Sequence, residues 1–296
     1  MYKLLLFSCM VLFSINECCA QDNFAESFIY FPRNIHVFIP SNSCIGNNIQ
    51  SDIYYNTYVG KLSIIKTYYA DININVSKKD KANPGRYKHV IGLGFYNDRE
   101  GTLFSKIRVI SRYSIHLPIR TDLFLSAGAA FHLINYTLQG SGSGASGSAL
   151  DWSGNISATL YSPSFKIGFS YNDFNNPQMR PIDYIFNIPR FVTIYGEKII
   201  SINEHTKMMG SIKTVWKQMY PASYQFQLGL ILSKIVGVNS FIHINKGWGL
   251  ALDLNSINVL KNDIDFSAAY FVPGKNSVIN VIQYELNIRY NLKNIK

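Results

Sequence analysis

The chain has 296 residues, 47% of them hydrophobic, and a formal net charge of +10 at pH 7. No segment approaches the ~20 consecutive apolar residues of a membrane-spanning helix, so none is expected. The 20 Tyr and 19 Phe are instead typical of strands and of the aromatic girdles of membrane barrels.

The N-terminus has the three parts of a secretory signal peptide. Lys3 precedes an apolar run over residues 4–15, and small residues ending at Ala20 form a cleavage site. We therefore expect residues 1–20 to be removed and the mature chain to begin at Gln21. Export makes nucleic acid the least suitable partner for the basic charge and favours anionic lipid or an acidic protein surface.

Cys44 is the one cysteine beyond the expected signal peptide, so the mature chain can form no intrachain disulfide. A lipoprotein anchor at Cys18 or Cys19 is an alternative interpretation. It fits less well, because Asn16 and Glu17 stand where small or apolar residues normally precede such an anchor.

Two regions follow the signal peptide. Residues 21–49 are aromatic and interrupted by proline, and we interpret them as an irregular N-terminal lead-in or plug. Residues 50–296 form an all-β domain, in which turn signals separate fourteen strands. We place these strands at residues 50–59, 62–77, 87–98, 102–117, 121–138, 153–161, 163–173, 189–203, 206–219, 223–234, 235–245, 248–257, 262–272 and 278–292.

The last strand shows the pattern most clearly. Its apolar positions are Ile282, Tyr284, Leu286, Ile288, Tyr290 and Leu292, and its polar positions are Gln283, Glu285, Asn287, Arg289 and Asn291. Successive strand side chains point to opposite faces, so this segment requires an apolar environment on one side and water on the other. Its length fits a tilted strand that crosses a bilayer.

The repeated alternation predicts a closed transmembrane antiparallel β-barrel of about 14 strands in an outer membrane, rather than a secreted β-sandwich or propeller. Only closure satisfies every strand backbone group in hydrocarbon. Connection lengths agree with this interpretation. Gly60-Lys61 and Ser162 are short links, whereas 78–86, 139–152 and 172–189 are long, and outer-membrane barrels have short periplasmic turns and long external loops.

The sequence offers no catalytic or metal-binding constellation, and we expect a non-enzymatic protein without a cofactor. The six histidines are not spaced as metal ligands. The Gly/Ser-rich run at 140–148 lacks the Gly-Lys-Ser/Thr ending of a P-loop. Asp263 and Asp265 share a strand face, but a polar lumen explains both of them.

A basic stripe on the fourth strand is the best candidate for function. Lys106, Arg108, Arg112 and His116 occupy its inward face, where they could attract an acidic peptide or solute into the barrel. The alternative is that these charges pair with inward carboxylates such as Glu285, Asp263 or Asp265.

Several motifs together carry a resemblance to a known family. They are a glycine pair followed by Asp, a charged residue and Gly over residues 92–101, the strand pair 113–118 and 123–128, the block 151–177 that closes on Asn175-Asn176-Pro177, and the ending Tyr284 to Tyr290. Their order and spacing resemble the type IX secretion system membrane protein family PorP/SprF of Bacteroidetes-type bacteria. Phe31-Pro32-Arg33-Asn34 departs from the Asn-Pro-Ala block expected after the signal, and Leu150-Asp151-Trp152 replaces Pro-Asp-Phe, which indicates a divergent member.

The resemblance implies a barrel in the cell outer membrane that helps to secrete or anchor cargo proteins at the cell surface. It implies as partners a secreted adhesin or other cargo with a C-terminal sorting domain, the type IX translocon, the periplasmic ring components and outer-membrane lipid. The rival hypothesis, which rests on the basic inward face, is a porin or solute transporter that prefers anions.

Overall fold

The computed structural model describes residues 24, 28–77, 87–140, 146–182, 185–218, 220–259, 262–275, 277 and 280–292. Short helical turns precede the strands, with α1 at Phe31–Asn34 and 3-10 turns at Ile35–Val37 and Pro40–Asn42. A further 3-10 turn, Gly60–Leu62, lies between the first two strands. The strands are β1 (Ile49–Tyr58), β2 (Lys66–Asn75), β3 (Lys88–Glu100), β4 (Phe104–Arg120), β5 (Leu123–Leu138), β6 (Gly147–Ser162), β7 (Phe165–Asn172), β8 (Gln178–Met179), β9 (Phe186–Asn187), β10 (Phe191–Ser201), β11 (Thr206–Lys217), β12 (Ser223–Leu232), β13 (Val236–His243), β14 (Gly247–Val259), β15 (Asn262–Pro273) and β16 (Gln283–Leu292).

Fourteen of these strands close into one antiparallel barrel. Each strand pairs with the next along the chain, β7 pairs with β10, and β16 closes the ring against β1 with Ile49 opposite Leu292. The short strands β8 and β9 form a separate hairpin within the connection between β7 and β10. The predicted fold class and strand number are confirmed, and each predicted strand overlaps one barrel strand.

Alternation along the strands separates an apolar outer wall from a polar inner one. On β16, the outward Leu286 is 49% exposed, whereas the inward Glu285 is 1% exposed. Exposed apolar side chains on other strands, such as Leu93, Leu228 and Leu252, follow the same rule. A wall of this kind suits hydrocarbon outside and a polar interior inside.

The two rims of the barrel differ in the length of their connections. The rim where β1 begins and β16 ends, here called the terminal rim, carries the short turns 121–122, 163–164 and 202–205. The opposite loop rim carries the longer connections 139–146, 173–190 and 274–282. Residues 141–145 of the Gly/Ser-rich run and the predicted signal peptide lie outside the described residues.

Two connections differ from the sequence prediction. The connection between β2 and β3 starts and ends at the terminal rim, among the short turns, and its predicted loop 78–86 lies outside the described residues. Gly60-Lys61 lies at the loop rim, within a connection from 59 to 65 that contains a 3-10 turn. The length of a connection alone therefore does not identify its rim, because the rim is fixed by the alternating direction of successive strands.

The barrel encloses residues 28–48, here called the lumen segment. Phe28 and Phe38 are fully buried in one apolar cluster with the inward tyrosines Tyr54, Tyr69 and Tyr96. The segment meets the terminal rim at Asn48, whose N–H donates to the carbonyl of Leu292 at 2.9 Å. Phe24, which precedes the segment, packs its ring edge-on against Tyr96, with 4.9 Å between ring centroids.

Among the described residues, no helix is long and apolar enough to cross a membrane.

Candidate functional site

The predicted basic stripe lies on the inner face of β4 and is buried. Lys106, Arg108, Arg112 and His116 are each at most 4% exposed. They contact the barrel wall, the lumen segment and the start of the longest loop-rim connection. The stripe is therefore part of a packed interior, and its role as a partner-binding site stays a prediction.

Arg112 reaches across β3 to β2. Its guanidinium lies 2.7 Å from a carboxylate oxygen of Asp71, and the same oxygen lies 2.9 Å from Nε2 of His36 in the lumen segment. The glycine pair on β3 makes this reach possible, since a Cβ on Gly94 would lie 2.7 Å from the Arg112 guanidinium. The space beside Gly94 is thus occupied by a charged side chain, and the space beside Gly92 is occupied by the Asn73 side chain.

Arg108 connects three parts of the molecule. Its Nη1 lies 3.2 Å from Oδ1 of Asp173, the first residue after β7, and both side chains are buried. The guanidinium also stacks on the Phe24 ring, 4.2 Å from its centroid. The hydroxyl of Ser153 on β6 donates to the same Asp173 carboxylate.

The two ends of the stripe contact other groups. Nζ of Lys106 lies 3.3 Å from Glu100 and 3.9 Å from Asp98, both on β3. Nδ1 of His116 lies 3.0 Å from the Tyr161 hydroxyl on β6. The stripe thus pairs with inward carboxylates, as the alternative interpretation expects, but these include Asp71, Asp98 and Asp173 rather than the expected Glu285 and Asp265.

Glu285 holds the lumen segment against the opposite wall. Its Oε2 accepts the backbone N–H groups of Ile29 at 2.7 Å and Tyr30 at 3.0 Å, and the Tyr54 hydroxyl at 3.1 Å. Because a carboxylate that accepts N–H donors forms strong charge-assisted hydrogen bonds, it fixes the position of the chain at residues 29–30. The sequence identified Glu285 as inward-facing but not its partners.

Arg33 supplies the main cation on this side of the lumen segment. Its guanidinium lies 3.2 Å from Asp265 and 3.4 Å from Asp253. Burial opposes its charge, but Asp253 and further anions outweigh the burial and raise the pKa of Arg33 above its ordinary value. Sequence reasoning missed this residue, although a basic side chain in an aromatic, proline-containing segment was a usable signal.

Tyr30 extends the same contact. Its hydroxyl donates to Asp253 at 2.7 Å and accepts from the side-chain amide of Gln227 at 3.2 Å. Burial, and then the negative charge of Asp253, raise the pKa of Tyr30 well above its ordinary value. The aspartates on β14 and β15 are therefore used to hold the lumen segment in place, and Asp263 is buried on the same inner face.

One cluster among the described residues has the composition of a metal site. His36, Asp52 and Asp71 have ligand atoms within 4.8 Å of one another. Arg112 already neutralises Asp71, and Arg289 lies 2.6 Å from Asp52. Two arginines at bonding distance supply the positive charge that a metal ion would bring, so the cluster is best described as a buried ion-pair network.

A family model described as type IX secretion system membrane protein PorP/SprF matches residues 20–292. The chain belongs to the PorP/SprF family. This confirms the resemblance in the sequence motifs and identifies the barrel as a membrane protein of the type IX secretion system. No curated relative matches the chain in sequence.

Solved structures with the same fold are outer-membrane barrels. The Acinetobacter baumannii outer membrane protein Omp33 is 11% identical with a TM-score of 0.51, and the match covers 83% of this chain and 100% of that one. CymD, a monoaromatic hydrocarbon channel, is 11% identical with a TM-score of 0.52 over 84% of this chain and 88% of its own. A TodX mutant, also a monoaromatic hydrocarbon channel, is 8% identical with a TM-score of 0.54 over 87% and 94%.

Family and fold together place this PorP/SprF member in the outer membrane. The short turns of an outer-membrane barrel face the periplasm and its long loops face outward. The terminal rim therefore faces the periplasm and the loop rim faces the exterior. The lumen segment enters from the periplasmic side, and Phe24 lies beside the Arg108–Asp173 pair, close to the external loops.

Proposed function

We propose that this PorP/SprF protein retains a secreted cargo protein, one that carries a C-terminal sorting domain, at the cell surface. The external loops and the loop rim would contact the cargo. The terminal rim would contact the translocon and the periplasmic ring components. Family membership supports the secretion role, and the filled interior supports a holding role over a conducting one.

The observation that carries this proposal is the lumen segment. It lies across the barrel interior, and both of its sides are anchored by buried charged contacts, His36 to Asp71 and Arg33 to Asp265. A buried charge that loses its partner is strongly destabilised, so the segment will not leave without a replacement for these contacts. A filled interior of this kind suits an anchor.

The rival function is a porin or solute transporter with an anion-preferring lumen. The pairing of Arg108 and Arg112 with carboxylates weakens it, because paired cations offer little attraction to a passing anion. The hydrocarbon channels CymD and TodX share the fold at 11% and 8% identity, which carries no inference about solute. The basic stripe remains a proposed partner contact, reachable only if the lumen segment moves.

Affinity purification from detergent-solubilised outer membranes, followed by mass spectrometry, tests the proposal. We expect proteins with a sorting domain, or translocon components, to co-purify in stoichiometric amounts. The same preparation in a planar bilayer should conduct little. A barrel that purifies alone and carries an anion-selective current would establish the porin instead.

A further inference from the structure

Strand β6 leaves part of one edge without a neighbouring barrel strand. It pairs with β5 over its whole length, from Gly147 opposite Leu138 to Tyr161 opposite Phe124. Its pairing with β7 covers only 156–162. Among the described residues, therefore, 147–155 have a barrel strand on one side only. A closed barrel normally has no such edge.

The first residues after β7 cover this edge between Trp152 and Gly154. The N–H of Phe174 donates to the carbonyl of Gly154 at 3.0 Å, and the N–H of Gly154 donates to the Asn175 side chain at 3.2 Å. The Asn175 amide also donates to the carbonyl of Trp152 at 2.7 Å. The loop thus imitates a strand up to Trp152, as backbone groups within hydrocarbon require.

Beyond Trp152, toward Gly147, the backbone N–H and C=O groups of alternate β6 residues point to the open edge of the sheet. Backbone direction alternates along a strand, and Gly154 and Trp152 bond toward the β7 side. Leu150 and Ser148 therefore also direct their N–H and C=O groups to that side. The N–H of Trp152 is satisfied by the neighbouring Asp151 carboxylate at 2.8 Å. Residues 147–152, here called the edge segment, form a template for one further strand.

The edge segment lies at the outer limit of the apolar wall. Trp152 pairs across the sheet with Leu133, whereas Leu150 pairs with Asn135 and Ser148 pairs with Thr137. Leu150 is 66% exposed, and the Trp152 ring stacks on Phe131 with 5.8 Å between centroids. Aromatic residues mark the membrane interface in barrels, so an external protein can reach the edge at Leu150 and Ser148.

We propose that the edge segment of β6 is the docking site for an extended strand of the secreted partner, by β-augmentation. Main-chain hydrogen bonds would supply affinity, and alternate side chains would supply specificity. Apolar side chains of the incoming strand would face outward beside Leu150 and Trp152, whose own side chains lie there. A small or polar side chain would face inward, where the N–H of Gln178 already donates to the Asp151 carboxylate at 2.8 Å. This inference rests on the proposed cargo-holding function and assigns its contact surface.

A second copy of this chain does not fit the edge. Two identical strands that pair antiparallel are related by a two-fold axis perpendicular to them. Two barrels in one membrane with the same orientation are related by an axis along the membrane normal. Because barrel strands tilt by about 35–45° from the normal, the two requirements conflict. A partner outside the membrane has no such restriction.

The test compares Leu150→Pro with Leu150→Ala. Proline removes the N–H that points to the edge and leaves the β5 ladder intact, as edge strands tolerate. Alanine removes the side chain but keeps the N–H. The readout is the Kd of the purified full-length barrel for a purified C-terminal sorting domain of a secreted protein from the same bacterium. We expect about a tenfold loss for the proline variant, the loss of roughly one hydrogen bond, and roughly threefold or less for alanine.

Hydrogen exchange on the unsubstituted barrel gives a second measurement that needs no variant. The amides of Ser148 and Leu150 should exchange more slowly once the sorting domain is bound. Equal weakening by both variants would assign the contact to the Leu150 side chain and overturn strand pairing. Unchanged binding by a folded Leu150→Pro barrel, with no slowing at Ser148 and Leu150, would overturn the edge while leaving cargo holding intact. Failure of the unsubstituted barrel to bind would reject both.

Discussion

Arg108 and Asp173 form a buried ion pair, 3.2 Å apart, between the wall of the barrel and the first residue of its longest external connection. The Phe24 ring packs on the same guanidinium, 4.2 Å from it. A single arginine thus connects Phe24, the wall and the loop that covers the edge of β6. Through this ion pair, the interior of the barrel holds the start of the external 173–190 connection in place.

Replacing Arg108 by Met should loosen the 173–190 connection without preventing barrel closure. The substitution leaves the Asp173 carboxylate buried without its main cation, a change that costs about 3–5 kcal/mol. Limited proteolysis in detergent should show faster cleavage within 173–190. Arg120→Met, on an exposed position of the same strand, is the matched control and should leave cleavage unchanged. Equal cleavage in both variants would mean that the ion pair does not hold the loop.

Gly128→Ala should unseat the lumen segment. A Cβ at this position on β5 would lie 2.8 Å from the carbonyl carbon of Pro40, a backbone contact that no rotamer change relieves. The readout is maleimide labelling of Cys44, which is free and buried in the same segment. If the substitution weakens the packing of the lumen segment against the barrel by about 1.4 kcal/mol, the labelling rate rises about tenfold.

Gly210→Ala on β11 is the control for that substitution. An added Cβ there has nothing within 4 Å, so the variant tests glycine replacement in a strand without a clash. Its Cys44 labelling should match that of the unsubstituted protein. If both alanine variants label at the unsubstituted rate, the close approach of Pro40 to the wall does not determine the position of the segment.

Cys44 should also make the stability of the barrel fall at alkaline pH. Burial is the main cause that raises the pKa of its thiol from 9.0 to about 12. The folded protein therefore keeps this proton where the unfolded chain loses it. The resulting stability is fully present below the unfolded pKa and is lost as pH rises between those two values. Urea unfolding of the unsubstituted protein and of Cys44→Ala should give stability curves that converge across this window, and parallel curves would contradict the assignment.

Leu286→Arg should reduce the amount of assembled barrel in the outer membrane. Leu286 is on the lipid face and 49% exposed, and an arginine near the midplane of that face costs about 2–4 kcal/mol. Leu286→Met, which stays apolar, is the control. Heat-modifiable migration in gel electrophoresis measures the folded fraction of each variant. Equal folded fractions would place Leu286 away from the hydrocarbon.

Asn287, the next residue on β16, faces the interior, so the expected effect of an arginine is different there. From the sequence, an arginine at Asn287 should be mild because the residue faces the lumen. The structure confirms the direction of the side chain, but Asn287 is 2% exposed and its amide donates to Asn34 at 3.1 Å. An arginine there would therefore displace the lumen segment. Strand alternation predicts which face a residue occupies, and it does not predict what fills the space beyond that face.

The sequence by itself determined the class of fold, the strand number and the inward or outward side of residues on strands with clear alternation, such as β16. These follow from local physics, since a strand in lipid must alternate, and since closure is the only way to satisfy its edges. The identity of the family was equally readable from motif order.

Only the tertiary structure decided the partners across the interior. Arg112 meets Asp71 and Arg33 meets Asp265 because barrel closure and the path of residues 28–48 bring together side chains far apart in the chain. The rim of each connection and the incomplete pairing of β6 likewise depend on strand register across neighbours. Alternation is a property of one strand, whereas pairing, filling and exposed edges are properties of the closed barrel.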